Sequence, residues 1–328
     1  EAAKPVREWR SERTYRANES DFAKILLRQR VAVNMEGRSL RTTLVGQEVA
    51  MPLALAYFIT RRFKLGWRLW WIGAATFIIS QVGHLPFNAG LNWLFQQPGF
   101  PKPAENWQLL FTAVVYGLSA GLWEELANYF VLRGWARDAR SWRTGLLFGA
   151  GHGGIEAIIL GGLVILTFVN MLILRTTDLS TIVPAEQLEL AQTQLSQYWS
   201  LPWYASLMGA LERVFAMIFH LSAALLVMQT FVRRQWFWVW LAVLWHALLD
   251  GVAVFVAGSW GVYAAEGALA GTALISVAII FALRRSEPEP PAAEAPAAPQ
   301  ASLELRPVEE APDEVAQKVA ESRYNSDL

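Results

Sequence analysis

Between residues 44 and 283 the chain alternates long apolar runs with short basic loops, and this pattern constrains the fold more than any other feature. A run near 20 apolar residues is long enough to cross the roughly 30 Å hydrocarbon core of a bilayer as a helix. In that medium only helices and closed barrels satisfy their own backbone groups. Seven spans are read, at 44–60, 69–95, 106–132, 144–174, 203–230, 236–257 and 260–283. The expected fold is therefore all-α, a polytopic transmembrane helix bundle of about seven spans around a buried polar site. Pro86 is expected to kink or end the second span. Gly149, Gly151, Gly153, Gly154, Gly161 and Gly162 in the fourth allow close helix approach or a broken helix lining a cavity.

Basic loops orient the spans. Arg61, Arg62, Lys64 and Arg68 follow the first, and Arg133, Arg137, Arg140 and Arg143 the third. Arg233 and Arg234 follow the fifth, and Arg284 and Arg285 the seventh. The intervening loops carry few positive charges, so the basic loops are assigned to the cytoplasm of a bacterial-type plasma membrane, with the C-terminus inside. Tryptophans beside these arginines, among them Trp67, Trp70, Trp71, Trp236, Trp238 and Trp240, fit interfacial belts. The lipid bilayer is thus an expected partner, and the zero net charge implies no nucleic-acid partner. The chain has no cysteine, which excludes disulfides, thiolate catalysis and Cys-bound zinc.

Two segments flank the 44–283 bundle. Residues 1–43 form a polar basic N-terminal segment with ten Lys/Arg against six Asp/Glu, yet seven spans place it outside. Either charge asymmetry fails for it, or the natural chain continues before Glu1; residues 20–33 also suit a basic amphipathic surface helix. Residues 284–328 read as a disordered Pro/Ala/Glu-rich cytoplasmic tail with a short helix at 313–323.

All four histidines, His84, His152, His220 and His246, lie inside apolar runs, as does the acid pair Glu124-Glu125. Ionisable groups in hydrocarbon are costly and usually mark a pathway or reactive site. Counting 1.5 Å per residue from the nearest basic loop puts Glu124 and His152 roughly 13 Å deep, His220 roughly 20 Å and His246 roughly 18 Å. Four groups on four spans thus share a level, while His84, roughly 24 Å from that side, sits apart and reads as an interhelical hydrogen-bonding residue. Glu156 lies at i+4 from His152 and Asp250 at i+4 from His246, where Asp250 is placed to accept the ring N–H. Glu212, beside Arg213, lies two turns before His220 and reads equally well as half of a structural ion pair.

The string Glu124-Glu125-Leu126-Ala127-Asn128-Tyr129 resembles the di-glutamate motif of the YhfC family of intramembrane proteases. Gly149-Ala150-Gly151-His152-Gly153-Gly154-Ile155-Glu156 is similar to that family's second signature. Glu212-Arg213 with His220, and His246 with Asp250, resemble its third and fourth, and Gln81 through Pro86 its second span. The family is similar to the CAAX prenyl endopeptidases and bacteriocin-processing enzymes, which hydrolyse peptide bonds within the membrane. The chain departs from it at Asn128, where the family usually carries an arginine expected to orient an acid.

The resemblance implies an intramembrane endopeptidase acting on a membrane-associated peptide or protein substrate. It implies Glu124 as general base for a water, with His152, His220 and His246 holding that water or the oxyanion and Glu125 orienting a neighbour. A zinc form stays open, with Glu124, His152, His220 and His246 as candidate ligands; cofactors are thus none or Zn2+. A transporter with a Glu/His proton or cation relay, and an inactive scaffold, are the other readings.

Overall fold

The computed structural model describes residues 38–202, 204–284 and 312–324. It divides into two units, residues 1–285 and 286–328. Among the described residues of the first, eight α-helices follow one another: α1 Arg38–Phe63, α2 Arg68–Gln96, α3 Glu105–Arg133, α4 Trp142–Thr176, α5 Ala185–Ser200, α6 Ala205–Val232, α7 Phe237–Trp260 and α8 Val262–Ala282. In the second, the described part is a helix α9, Pro312–Tyr324, matching the short helix expected there. The remainder of the expected disordered tail, and the amphipathic helix read at 20–33, lie outside the described residues.

Every predicted span is a helix, and among the described residues there is no strand. Five helices are both long and apolar enough to cross a membrane: α3, α4, α6, α7 and α8. With 26 and 29 residues, α1 and α2 have the length but not the apolarity; α2 carries Gln81, His84, Asn88 and Asn92 at helical spacing. Polarity is distributed inside out. Glu125, Asn128, His152 and Ser222 are at most 1 % exposed, whereas Val82 and Leu274 are 73 % exposed. Water would not tolerate that surface, but a lipid phase does.

At the centre stands α6, which packs against α1, α3, α4, α7 and α8. Its stretch from Phe219 to Thr230 is buried throughout. Around it, α3 lies along α7 and α2 along α4. Glycines permit these approaches. A Cβ on Gly117 would meet the Ala247 carbonyl at 2.6 Å, and one on Gly121 would strike the Val243 carbonyl. On α4, Gly151 abuts the Trp70 backbone of α2, while Gly149 and Gly153 face His220 of α6.

Two pairs of alternatives read from the sequence are narrowed. The helix α2 runs ten residues past Pro86. And α4 is one unbroken helix, opened by a capping box in which the Ser141 side chain accepts from the Thr144 N–H and Thr144 from the Ser141 N–H. Its glycines thus serve helix contact, not a break. The polar 175–202 stretch holds the amphipathic α5.

Candidate active site

Four helices bring one acid–imidazole cluster together. From α3, Glu124 projects between two histidines. Its Oε2 lies 3.1 Å from His152 Nε2 of α4 and 4.0 Å from His246 Nε2 of α7. Its Oε1 accepts a hydrogen bond from Gln81 Nε2 of α2 at 3.0 Å. The fourth helix, α6, supplies His220, whose ring centroid lies 5.0 Å from that of His152 and 5.8 Å from that of His246. Glu124, His152 and His220 each present one ligating atom, all within 4.8 Å of one another and all buried. The common depth read from the sequence therefore corresponds to convergence in space.

A second acid orients the cluster. Glu125 is fully buried, and its Oε1 lies 2.7 Å from His246 Nδ1. An ionised carboxylate can only accept, so the ring nitrogen donates and His246 turns its Nε2 toward Glu124. Asp250, expected at that position, stands 3.7 Å from His246 Nε2, beyond hydrogen-bonding range. One turn of helix puts Asp250 nearer the open side, with its side chain 35 % exposed, while α3 delivers Glu125 from across the seam. Asn128 Nδ2 donates to Glu125 Oε2 at 3.0 Å, so the residue standing where an arginine was expected still holds this acid.

Glu156 does the corresponding work for His220. It accepts from Arg213 Nη1 at 2.8 Å on one oxygen and meets His220 Nε2 at 2.6 Å with the other. Arg213 also pairs with Glu212. The ion pair read from the sequence is thus one end of a chain running Glu212, Arg213, Glu156, His220. Aromatic rings fill the gaps. Phe77 meets His152 edge-on at 5.4 Å, and Phe219 meets both His220 and His246.

His84 is outside the cluster. Its Nε2 lies 2.9 Å from Asn88 Nδ2, and Asn88 in turn accepts from Ser119 of α3 at 2.6 Å. Asn92 and Tyr116 pair further along the same seam. The bond His84 makes is therefore within α2, and the hydrogen bonds that cross to α3 come from its neighbours Asn88 and Asn92 instead of from His84 itself. Gln81 was not singled out as a site residue. The available signal was its place in the polar stripe 81, 84, 88 and 92, which lies on one face of a helix.

A polytopic helical membrane protein with a buried cluster of one central glutamate and three histidines is the class that fold and site define. The family model for the YhfC intramembrane metalloprotease matches residues 48–270, and the chain belongs to that family. The uncharacterized membrane protein YhfC of Bacillus subtilis (strain 168) is 28% identical over 209 residues, 62% of this chain and 79% of that protein. A second model, for FMN-dependent dehydrogenases, matches residues 7–58. Over 46 residues the chain is 56% identical to an L-lactate dehydrogenase of Xanthomonas campestris, and 52% to one of Pseudomonas syringae. These matches span 12% of those proteins' length and 14% of this chain. No solved structure matches the chain.

The donor set fits a metal. Two imidazoles and a carboxylate within 4.8 Å are a ligand set used by catalytic zinc. His152 and His220 each keep a buried Nδ1 with no hydrogen-bond partner among the described residues. Glu125 and Glu156 stand behind His246 and His220, as carboxylates do behind metal-bound histidines.

Proposed function

We propose that this protein is an intramembrane endopeptidase that hydrolyses a peptide bond of a membrane-associated substrate at the Glu124 cluster. The observation that carries the reading is the convergence of Glu124, His152 and His220 inside the bundle, in a chain of this family. Gln81 and His152 fix the carboxylate of Glu124 through its two oxygens. Held this way, Glu124 takes the proton of an attacking water as general base. His246, aligned by Glu125, faces the same oxygen with its Nε2 and is placed to hold that water or the developing oxyanion. His220, anchored by Glu156, closes the other side.

The family's description as a metalloprotease favours a metal-bound form of the same site. Glu124, His152 and His220 would hold the ion, zinc by its donor set, and Glu124 then serves as ligand instead of base. The bound ion supplies a Lewis acid that polarises the carbonyl and acidifies a water. In both forms Glu125, Glu156 and Asn128 keep their tasks, since they act on the histidines and on each other. The basic loops are assigned to the cytoplasm of a bacterial plasma membrane, which puts the C-terminus inside.

The test is a proteoliposome assay of the full-length protein with membrane-embedded peptides, read by mass spectrometry. Cleavage is expected, and Glu124→Gln should lower its rate by about 10²-fold or more, the usual contribution of a positioned base. Undiminished cleavage by Glu124→Gln overturns both forms. Proton-coupled flux without cleavage supports the relay reading instead.

A further inference from the structure

At the arginine-rich end of the bundle, away from the Glu124 cluster, a cavity of about 470 Å³ opens between the last turns of α3 and α6 and the start of α7. Arg133, Arg140 and Arg234 line it, and no acidic residue does. The acid in the adjoining loop, Asp138, is already paired with Arg68 at 2.7 Å. Arg140 also feels the charge of Asp138, but three guanidinium groups leave the cavity positive, a charge that a bound anion would offset.

The walls explain what kind of anion. Tyr129 stacks on Phe231 at 5.1 Å and meets Trp236 at 5.0 Å, so one side is a continuous aromatic surface. Arg140 lies over the Phe231 ring at 4.5 Å and uses both terminal nitrogens on the carbonyls of Leu132, Ala136 and Ala139. It is therefore locked in place before any ligand arrives. Arg133 reaches the Tyr129 hydroxyl at 3.3 Å and is otherwise exposed. Arg234 adopts a left-handed backbone, φ 56°, at the turn between α6 and α7. Thr230 adds an independent sign: it lines the same cavity, is 7 % exposed, and its buried Oγ1 has no hydrogen-bond partner among the described residues. A buried hydroxyl left unpaired costs free energy that a bound acceptor would recover.

We infer that this cavity binds a phosphate group, most suitably that of an anionic phospholipid headgroup entering from the bilayer. Arginine forks match phosphate oxygens, and basic pockets between transmembrane helices at the membrane surface suit acidic headgroups. The aromatic wall then receives the glycerol and upper acyl chain. One turn deeper on the same helix, α3 carries Glu125.

The experiment uses full-length protein, stripped of lipid in detergent, with binding followed by thermal shift and native mass spectrometry. Phosphatidylglycerol, phosphatidylcholine and inorganic phosphate are the three probes. Phosphatidylglycerol is expected to bind and phosphatidylcholine not. Arg133→Gln and Arg234→Gln should each weaken it by about five-fold. Thr230→Val, similar in shape, should weaken it as well. Arg137→Gln, an exposed arginine of the same loop that does not line the cavity, should leave binding unchanged. Saturation by inorganic phosphate, lost in the same variants, would keep the phosphate site and assign it a soluble source. Equal binding of both lipids, or equal losses in Arg137→Gln and Arg133→Gln, would overturn the inference, since either reduces the effect to general surface charge.

Discussion

Glu125 has no solvent exposure, and both its oxygens are occupied, by His246 at 2.7 Å and Asn128 at 3.0 Å. A buried carboxylate stripped of one partner leaves the other group unpaired as well. Glu125→Gln keeps the shape and removes the charge that orients His246. Its expected effect is a loss of about 10- to 100-fold in activity or metal affinity, the range seen when the group behind a ligand is altered. Circular dichroism of the same variant should remain helical; a collapse of helicity would assign Glu125 to folding. Asn128→Ala should cost about 1–3 kcal/mol of stability, from the acceptor it leaves unsatisfied.

A smaller residue-scale effect lies at the loop. Hydrogen bonding to Arg68 holds the Asp138 carboxyl below its usual range. A depressed carboxylate stabilises the fold above its unfolded pKa of about 3.9, and that contribution disappears as pH falls through the folded value. Both side chains are more than half exposed, so it stays under about 1 kcal/mol. Asp138→Asn should therefore lower the melting temperature slightly at pH 7 and not at all in strong acid.

Residue placement was legible where helix geometry alone decides it. Depth counting brought Glu124, His152, His220 and His246 to one level because each helix rises steadily from a basic loop. It did not distinguish which acid orients which histidine. Asp250 shares a helix with His246, so sequence spacing favoured it; Glu125 reaches the ring only because α3 and α7 touch at glycine.

For the elements, glycine content carries most of the argument. A Cβ on Gly153 would lie 2.8 Å from the His220 ring, whereas one on Gly162 would meet nothing within 4 Å. Gly153→Ala should thus destabilise by about 1–3 kcal/mol through overpacking and move His220 away from Glu156. Gly162→Ala, in the same helix, should be neutral or stabilise by up to about 1 kcal/mol. Thermal unfolding of the pair separates contact from propensity. Each of the seven predicted spans coincides with a helix, five of them through apolar length, whereas the polar, amphipathic α5 was not read. Of the two readings for Pro86 the ending of α2 fails, since a proline in a long helix is tolerated when neighbouring helices support the backbone it disturbs.

For the whole molecule, a bound metal would make stability depend on its concentration. At about 100 times its dissociation constant an ion specific to the folded state adds about 2.7 kcal/mol. Exhaustive chelation should then lower the melting temperature and stop cleavage together, and zinc should restore both. Activity that survives chelation leaves the metal-free form of the site. The amino-terminal part carries one conflict in the charge pattern. Most of the basic segment 1–43, which seven spans would place outside, lies within residues 7–58, where the chain resembles FMN-dependent dehydrogenases, and so does most of the first predicted span. Five strongly apolar helices and the site all lie beyond it.

The 35 residues of α4 make a rod roughly 52 Å long, and none between Gly162 and Thr176 is buried. Hydrocarbon in a typical bilayer is about 30 Å thick, so this rod, whose far end meets α5 through Arg175 over Trp199, fits the membrane by tilting or by thickening it locally. His152 sits on the other end of the same rod. Hydrophobic mismatch at that end thereby becomes a torque on the cluster, and the membrane's thickness becomes a variable of the proposed reaction. Vesicles of graded acyl length should show a maximum in cleavage rate at one thickness; a flat profile would mean that α4 bends before it transmits the load.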